Sequence, residues 1–320
     1  MARLANKFRW LYMCLAYCLM PFFTCYPSAA YSNQSQSIYV FYPDVREPYK
    51  SIFNEILSGI EAASTSNVLA YSIHNSQELE SYQSLFKSAG PGTAIALGNI
   101  SKSIYPSLSV PAAIVSGASL LTTEDIESGV VGISLSPAPD QLIDKLIELA
   151  PEVNIISVVY HKETNGWLVD IAENYAQSHN LILERLEATD VRDAAQDFKV
   201  IFEQHQGKHH AIWLLQGDPT LDEKGMLPDV LSQAWESGCV VFSSNPSHVK
   251  RGALFSLYPD NYAMGKSLAL LTNSLKKGNL ISAQPVSDLK TAVNIRTAEH
   301  LNLNISRSQE RGFDLIFPSQ

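Results

Sequence analysis

Residues 252–278 read GALFSLYPDNYAMGKSLALLTNSLKKG, and their pattern sets the architecture of the chain. The run 253–257 is apolar, long enough for a buried strand and too short for a helix. Tyr258 and Pro259 end it, because proline lacks an amide donor and disfavours helix in the residue before it. Asp260 then offers the short acceptor side chain of a helix N-cap. Tyr262, Gly265, Leu268, Ala269, Thr272 and Leu275 fall on one face of the helix that follows. Lys276, Lys277 and Gly278 supply a stop, with cations at the negative helix end and a glycine beyond. The unit is strand, polar turn, amphipathic helix. In an open α/β sheet, ligands sit at such turns, beyond the carboxyl ends of the strands.

The same alternation recurs upstream. Strands are predicted at 38–42, 68–73, 93–97 and 112–115. Between them, Tyr49, Ile52, Phe53, Ile56, Leu57 and Ile60 mark one helical face behind Pro48, and a second helix is predicted at 77–88. Residues 116–129 are polar with no clear period and read as a crossing between lobes. A second series follows, with strands at 130–135, 155–160, 181–186, 211–215 and 240–242. Its helices are predicted after Pro139 (ended by Pro151), at 166–177, at 191–204 and at 227–236. Strands interleaved with helices pair in parallel through right-handed crossovers, so two such series predict two doubly wound parallel-sheet lobes in an α/β protein. A chain of 320 residues is ample for two cores.

At the start, Arg3, Lys7 and Arg9 precede an apolar run over 11–26 that Pro21 interrupts, and Ser28, Ala29 and Ala30 come before a polar stretch. Charged, apolar and small-residue regions in that order predict a signal peptide over 1–30, cut after Ala30, and export to the periplasm. Lipoprotein anchoring at Cys25 is the rival, although Phe22 and Thr24 suit that pattern badly. Three of the four cysteines lie in this segment, and Cys239 alone cannot form an internal disulfide. Its place in the apolar run 239–242 reads as a small buried hydrophobe. The formal net charge is −9, and the leader holds basic but no acidic residues, so the remainder is more acidic still. That excludes nucleic acid and anionic membrane as natural partners.

Enzyme motifs are missing. Gly90, Pro91 and Gly92 precede a strand instead of opening a helix after one, so they form no dinucleotide loop. No phosphate-binding G-x-x-x-x-G-K, G-x-S-x-G or H-E-x-x-H sequence occurs. His205, His209 and His210 cluster about Gly207 and read as a solvated turn before a strand, not as a metal site. No catalysis, cofactor or metal is expected. What remains is a set of polar residues after strands: Asn99, Ser116, Thr164, Asn165, Asp218, Thr220, Asn245 and Asp260. Each alone is an ordinary cap or loop residue. Together they would face one cleft if two lobes opposed their strand carboxyl ends, and an acidic residue there suits a ligand ammonium.

Several short segments carry a family resemblance. Val131-Gly-Ile-Ser134, Leu149-Ala-Pro-Glu-Val153 and Ser157-Val-Val-Tyr160 resemble V-T-G-V-S, L-x-P-x-V and G-V-L-Y positions. Gly252-Ala-Leu254, Asp260-Asn-Tyr262 and Gly265-Lys266 resemble G-A-L…D-Y-Y-x-x-G-[RK], and 293–298 with 301–305 resembles a closing I-N-x-K-T-A…L-G-L-x-I. The family so resembled is the ABC transporter substrate-binding proteins that include tryptophan- and tyrosine-binding lipoproteins, with the periplasmic-binding protein type I fold. The resemblance implies two lobes, 31–118 plus 260–280 and 119–259 plus 281–320, joined by a three-crossing hinge near Ser119, Pro259 and Ile281. It implies a monomer that captures a small molecule, an amino acid or related amine, and delivers it to an ABC permease. The alternative is a sensor subunit for another inner-membrane receptor, a signalling one. Asp218 and Thr220 match positions used near ligand, and Asp218 is the residue expected to meet the ammonium. A D-P-V element is replaced by residues 116–120, and Pro43-Asp-Val-Arg-Glu47 is unusually charged, which leaves ligand identity open.

Overall fold

The computed structural model describes residues 37–75, 77, 78, 80, 81, 93–100, 113–276 and 282–318. The expected signal peptide and most of the expected helix at 77–88 lie outside these residues. In chain order the first elements are β1 (Ile38–Pro43), α1 (Tyr49–Ala63), β2 (Val68–Ile73), β3 (Thr93–Leu97), β4 (Ala113–Ser119), α2 (Thr123–Glu127) and β5 (Gly132–Pro137). Next come α3 (Pro139–Leu149), β6 (Ile155–Tyr160), α4 (Lys162–Ser178), β7 (Ile182–Glu187), α5 (Val191–Gln204), β8 (His210–Leu214), α6 (Met226–Ser237) and β9 (Val240–Ser243). The chain ends with α7 (Pro246–Arg251), β10 (Phe255–Pro259), α8 (Asn261–Lys276), β11 (Gln284–Val286), β12 (Leu289–Asn294), α9 (Ile295–His300), α10 (Arg307–Glu310) and β13 (Leu315–Phe317).

Two sheets result. The first has six strands in the order β11-β5-β4-β3-β1-β2, all pairing in parallel. The second has seven, ordered β13-β12-β10-β9-β8-β6-β7. It is parallel except where β12 runs against β10, with Pro259 opposite Leu289 at the end of that pair. The central strands read as continuous apolar runs because they are buried on both faces. Ile38, Val40, Ile95, Leu97 and Val115 form the core beneath α1 and α8. Leu142, Leu146, Ile156, Val158, Trp213 and Phe255 anchor the core of the second sheet. Both sheets belong to one compact unit, Ser35–Gln320.

The expected assignment of strands to lobes needs correcting. The strand predicted at 130–135 opens the second series in the sequence, yet β5 pairs with β4 in the first sheet. The chain therefore first passes to the second sheet between Pro137 and Pro139, not near Ser119. It returns between Pro259 and Asn261 and passes over again between Val286 and Leu289, since β11 pairs with β5, beyond the crossing expected near Ile281. Residues 120–127 do lean on the second sheet: Leu121 sits in its core and its carbonyl accepts from Trp167 Nε1 at 3.1 Å. A capping box between Thr122 and Asp125 holds α2 there. The irregular sequence signalled a contact across the gap, and the chain then turned back. The strand expected at 253–257 begins at Phe255 and runs on through Tyr258 to Pro259. Proline is tolerated there because it is the last strand residue.

Helices α1 and α8 cross at very short range. A Cβ built on Gly59 would lie 2.0 Å from the Tyr262 carbonyl oxygen, and one on Gly265 would lie 2.1 Å from that of Ile56. Two glycines facing each other let the backbones touch, which fixes α8 to the first sheet although the strand before it, β10, belongs to the second.

Candidate functional site

In each sheet the strand order reverses once, between β1 and β3 and between β6 and β8, leaving a crevice at the strand carboxyl ends. The two crevices open onto one cleft of about 880 Å³. From the first sheet it takes Pro43 at the end of β1, Gly98 and Asn99 after β3, Ala118 and Leu135, with Tyr49, Ile52, Phe53 and Glu55 of α1 along one wall. From the second come Gln216 after β8, Asn245 and Pro246 after β9, and Tyr258 with Lys290. That volume suits a small ligand, and the wall is mainly apolar with a few separated polar groups.

The first wall is shaped by local backbone. Gly98 has φ +62°, and a Cβ there would press against the Phe53 ring at 3.3 Å. Ala118 also has positive φ, 52°, where the β4–β5 register slips between Ser116 and Ser119. A non-glycine residue in that region is strained, and such strain gathers where function fixes the chain. Tyr49 stands 63% exposed at the cleft wall. Periodicity placed Tyr49, Ile52 and Phe53 on a buried helix face and so missed them as cleft residues. Ala118 and Leu135 were missed because nothing polar marks them.

Of the expected site residues, only Asn99 and Asn245 line this cleft. Asn245 also caps α7, its Oδ1 accepting from Ser247 N at 2.9 Å. Asp260 stands just behind the lining. Its Oδ1 caps α8 by accepting from Ala263 N at 3.0 Å, and Oδ2 lies 3.4 Å from Lys290 Nζ. That backbone bond, with Lys290 beside it, holds its carboxyl below the usual carboxylate range. Ser116 is buried within β4 under Gly132 and does not reach the cleft. Thr164 lies 3.2 Å from His161 Nδ1 at the head of α4.

Asp218, Thr220 and Asn165 do come together, but inside the second lobe. Asp218 is buried, and its Oδ2 accepts from His161 N at 2.9 Å and Asn165 Nδ2 at 2.8 Å. Its Oδ1 accepts from Thr220 N at 3.0 Å and Thr220 Oγ1 at 2.6 Å. A carboxylate offers about four lone-pair sites, and four protein donors take them. The expected counter-ion is a clamp between the loops after β6 and β8.

The histidine turn also differs from expectation. His209 is exposed, but His210 is buried as the first residue of β8, and His205 pairs with Glu184 of β7 at 2.9 Å. The carboxylate and the thiol near them come from elsewhere in the chain, Glu184 from β7 and Cys239 from just before β9, which sequence spacing cannot show. Among the described residues no helix is long and apolar enough to cross a membrane.

Two doubly wound sheets facing across a ligand-sized cleft, with three connections between them, define a binding protein of the periplasmic type I class. The family model described as ABC transporter substrate binding protein matches residues 89–309, and the chain belongs to that family. A search of curated proteins finds no match. Among solved structures, this chain is similar to a ligand-free, open substrate-binding protein with adhesive properties, CD0873 of Clostridium difficile. The two share 15% identity over 89% of this chain and 100% of that one, with TM-score 0.61. An ABC domain from Streptococcus pneumoniae in complex with L-Trp shares 18% identity over 88% and 100% of the two chains, with TM-score 0.54. A conserved domain protein of Vibrio cholerae shares 20% identity over 88% and 99%, with TM-score 0.52.

Proposed function

We propose that this protein captures a small molecule, an amino acid or related amine with an apolar body, in the cleft and hands it to an ABC permease. The cleft lining carries this reading. An apolar wall of Tyr49, Ile52, Phe53 and Leu135 faces the ligand body, and Glu55 and Lys290 are the Asp/Glu/Lys/Arg residues among the lining. Glu55 belongs to α1 over the first sheet and Lys290 to β12 of the second. An α-ammonium at Glu55 and an α-carboxylate at Lys290 would tie the two sides together. Asn99, Gln216 and Asn245 add neutral hydrogen-bonding groups. The L-Trp held by the Streptococcus pneumoniae relative supports an amino acid here as well.

The two sheets with their helices act as two lobes, hinged at 137–139, 259–261 and 286–289. Ligand that touches both lobes only when they close shifts the open–closed equilibrium, and the permease reads the closed form. No covalent step is required. The family assignment favours delivery to a permease over hand-off to a signalling receptor. The chain acts outside the cytoplasmic membrane after cleavage behind Ala30, as a monomer. Titration calorimetry with L-Trp, L-Tyr and a panel of other amino acids tests the ligand class, and small-angle scattering tests closure. Binding of one panel member with a smaller radius of gyration is expected. No heat from any member, with no small molecule carried through purification on native mass spectrometry, overturns the reading.

A further inference from the structure

We infer that Glu184, His205 and His210 form a binding site for one divalent ion of the zinc class, outside the cleft. His210 begins β8 and Gln216 of the cleft lies six residues on, about 20 Å away at strand rise, so the two sites sit at opposite ends of the sheet. One donor atom from each of the three residues lies within 4.8 Å of the others. Tetrahedral zinc with bonds of about 2.1 Å needs neighbouring donors about 3.4 Å apart, so the side chains must draw together, with His205 turning out of its stack on the His210 ring. Two imidazoles and a carboxylate are the borderline donors that zinc takes, with water completing the fourth position.

The surroundings orient these donors as a metal site requires. Glu184 holds His205 Nε2 with both oxygens, at 3.0 and 2.9 Å. Ser157 Oγ lies 2.7 Å from Glu184 Oε2 and 2.8 Å from His210 Nε2, so the carboxylate and that ring nitrogen converge on one point. On its other side His210 Nδ1 lies 3.2 Å from Cys239 Sγ. With Nδ1–H donated to that sulfur, Nε2 keeps a lone pair that faces Ser157 Oγ beside the Glu184 carboxylate, the outer-shell arrangement that fixes a ligating tautomer. Cys239 Sγ meets the ring nitrogen of His210 that faces away from Ser157 and Glu184, so it is a partner and not a ligand. The site is reachable: His205 and Glu184 side chains are 18% and 33% exposed while His210 is buried. His205 caps the carboxyl end of α5, where the helix dipole favours a cation.

The test uses tag-free protein stripped with a chelator and titrated with Zn²⁺ by calorimetry and native mass spectrometry. One Zn²⁺ per chain is expected, with proton release when measured in buffers of different ionisation heat. His205→Ala and Glu184→Gln are each expected to weaken Zn²⁺ binding at least about tenfold. Mg²⁺ should not compete, since it demands an oxygen cage. Both residues are partly exposed, so circular dichroism should show native folding in each variant, and His205→Gln gives a milder second change. Failure of the wild-type protein to take up Zn²⁺ overturns the site and leaves a hydrogen-bonded chain of side chains. So does Zn²⁺ uptake of unchanged affinity in folded His205 and Glu184 variants.

Discussion

The side-chain amide of Asn165 donates to Asp218 Oδ2 across 2.8 Å, joining the first turn of α4 to the loop that leaves β8. These segments flank the point where the second sheet reverses its strand order, so the bond braces one rim of the cleft. His161 N and both donors of Thr220 complete the set around the carboxylate.

Asp218→Asn is accordingly expected to act first on stability. An amide can accept through one oxygen only, and its NH₂ would face a donor across the bond it replaces. A buried donor left unsatisfied costs about 1–3 kcal/mol. Urea unfolding of the ligand-free variant should show a loss of that size. An unchanged midpoint with abolished ligand binding would return Asp218 to the role of a ligand counter-ion.

Gly265→Ala should destabilise through the crossing of α1 and α8. The added methyl would stand 2.1 Å from the Ile56 carbonyl oxygen and 3.1 Å from Gly59 Cα, both backbone atoms that cannot rotate away. Overpacking of this kind costs about 1–3 kcal/mol. Thermal unfolding is the measurement. A variant as stable as wild type would mean that α8 can lift without penalty.

Tyr49→Ala should separate binding from folding. The ring is largely exposed in the free protein, so its removal should change stability by no more than about 0.5 kcal/mol. Stacked on the apolar body of a bound amino acid, the same ring is worth about 0.5–1.5 kcal/mol beyond the area it covers. A loss of roughly three- to tenfold or more in affinity follows, read by calorimetry with whichever amino acid the wild-type protein binds. Equal affinities would take Tyr49 off the ligand's path.

Acid should weaken the fold before carboxylates titrate. Burial, with His205 close by, lowers the pKa of His210 to about 4, although Glu184 opposes it. Burial likewise lowers that of His248, which lies 2.8 Å from Ser243 Oγ and 3.2 Å from Glu223. An unfolded histidine titrates near about 6.5. Between the two values the unfolded chain binds more protons, so stability rises with pH across that window and is lost as pH falls through it. Chelator-treated protein should therefore unfold at lower urea at pH of about 5 than at about 7. A flat profile would show that neither ring must be charged on unfolding.

Local physics was readable from the sequence. The helix over 191–204 matches α5 end for end, because Asp190 caps it and Ala194, Phe198, Ile201 and Phe202 recur at helical spacing. The strands over 68–73, 93–97 and 155–160 match as well, since short apolar runs between turns have no other stable use. Gly265 was legible as a position on the α8 face. Its reason, the carbonyl of Ile56 against it, was not.

Long-range pairing decided the rest. Which sheet receives β5 depends on hydrogen bonds to β4, and an apolar strand reads the same in either sheet. Whether Asp218 faces ligand or protein depends on His161 and Asn165, over fifty residues upstream, arriving with donors that satisfy it first. The cleft wall of Tyr49, Ile52 and Phe53 was hidden for the same reason: periodicity shows that a face is apolar, and only tertiary structure shows what lies opposite. Glu184 and His210 become neighbours because β6, β7 and β8 align in register, and His205 joins them from the end of α5, a meeting that no spacing along the chain shows.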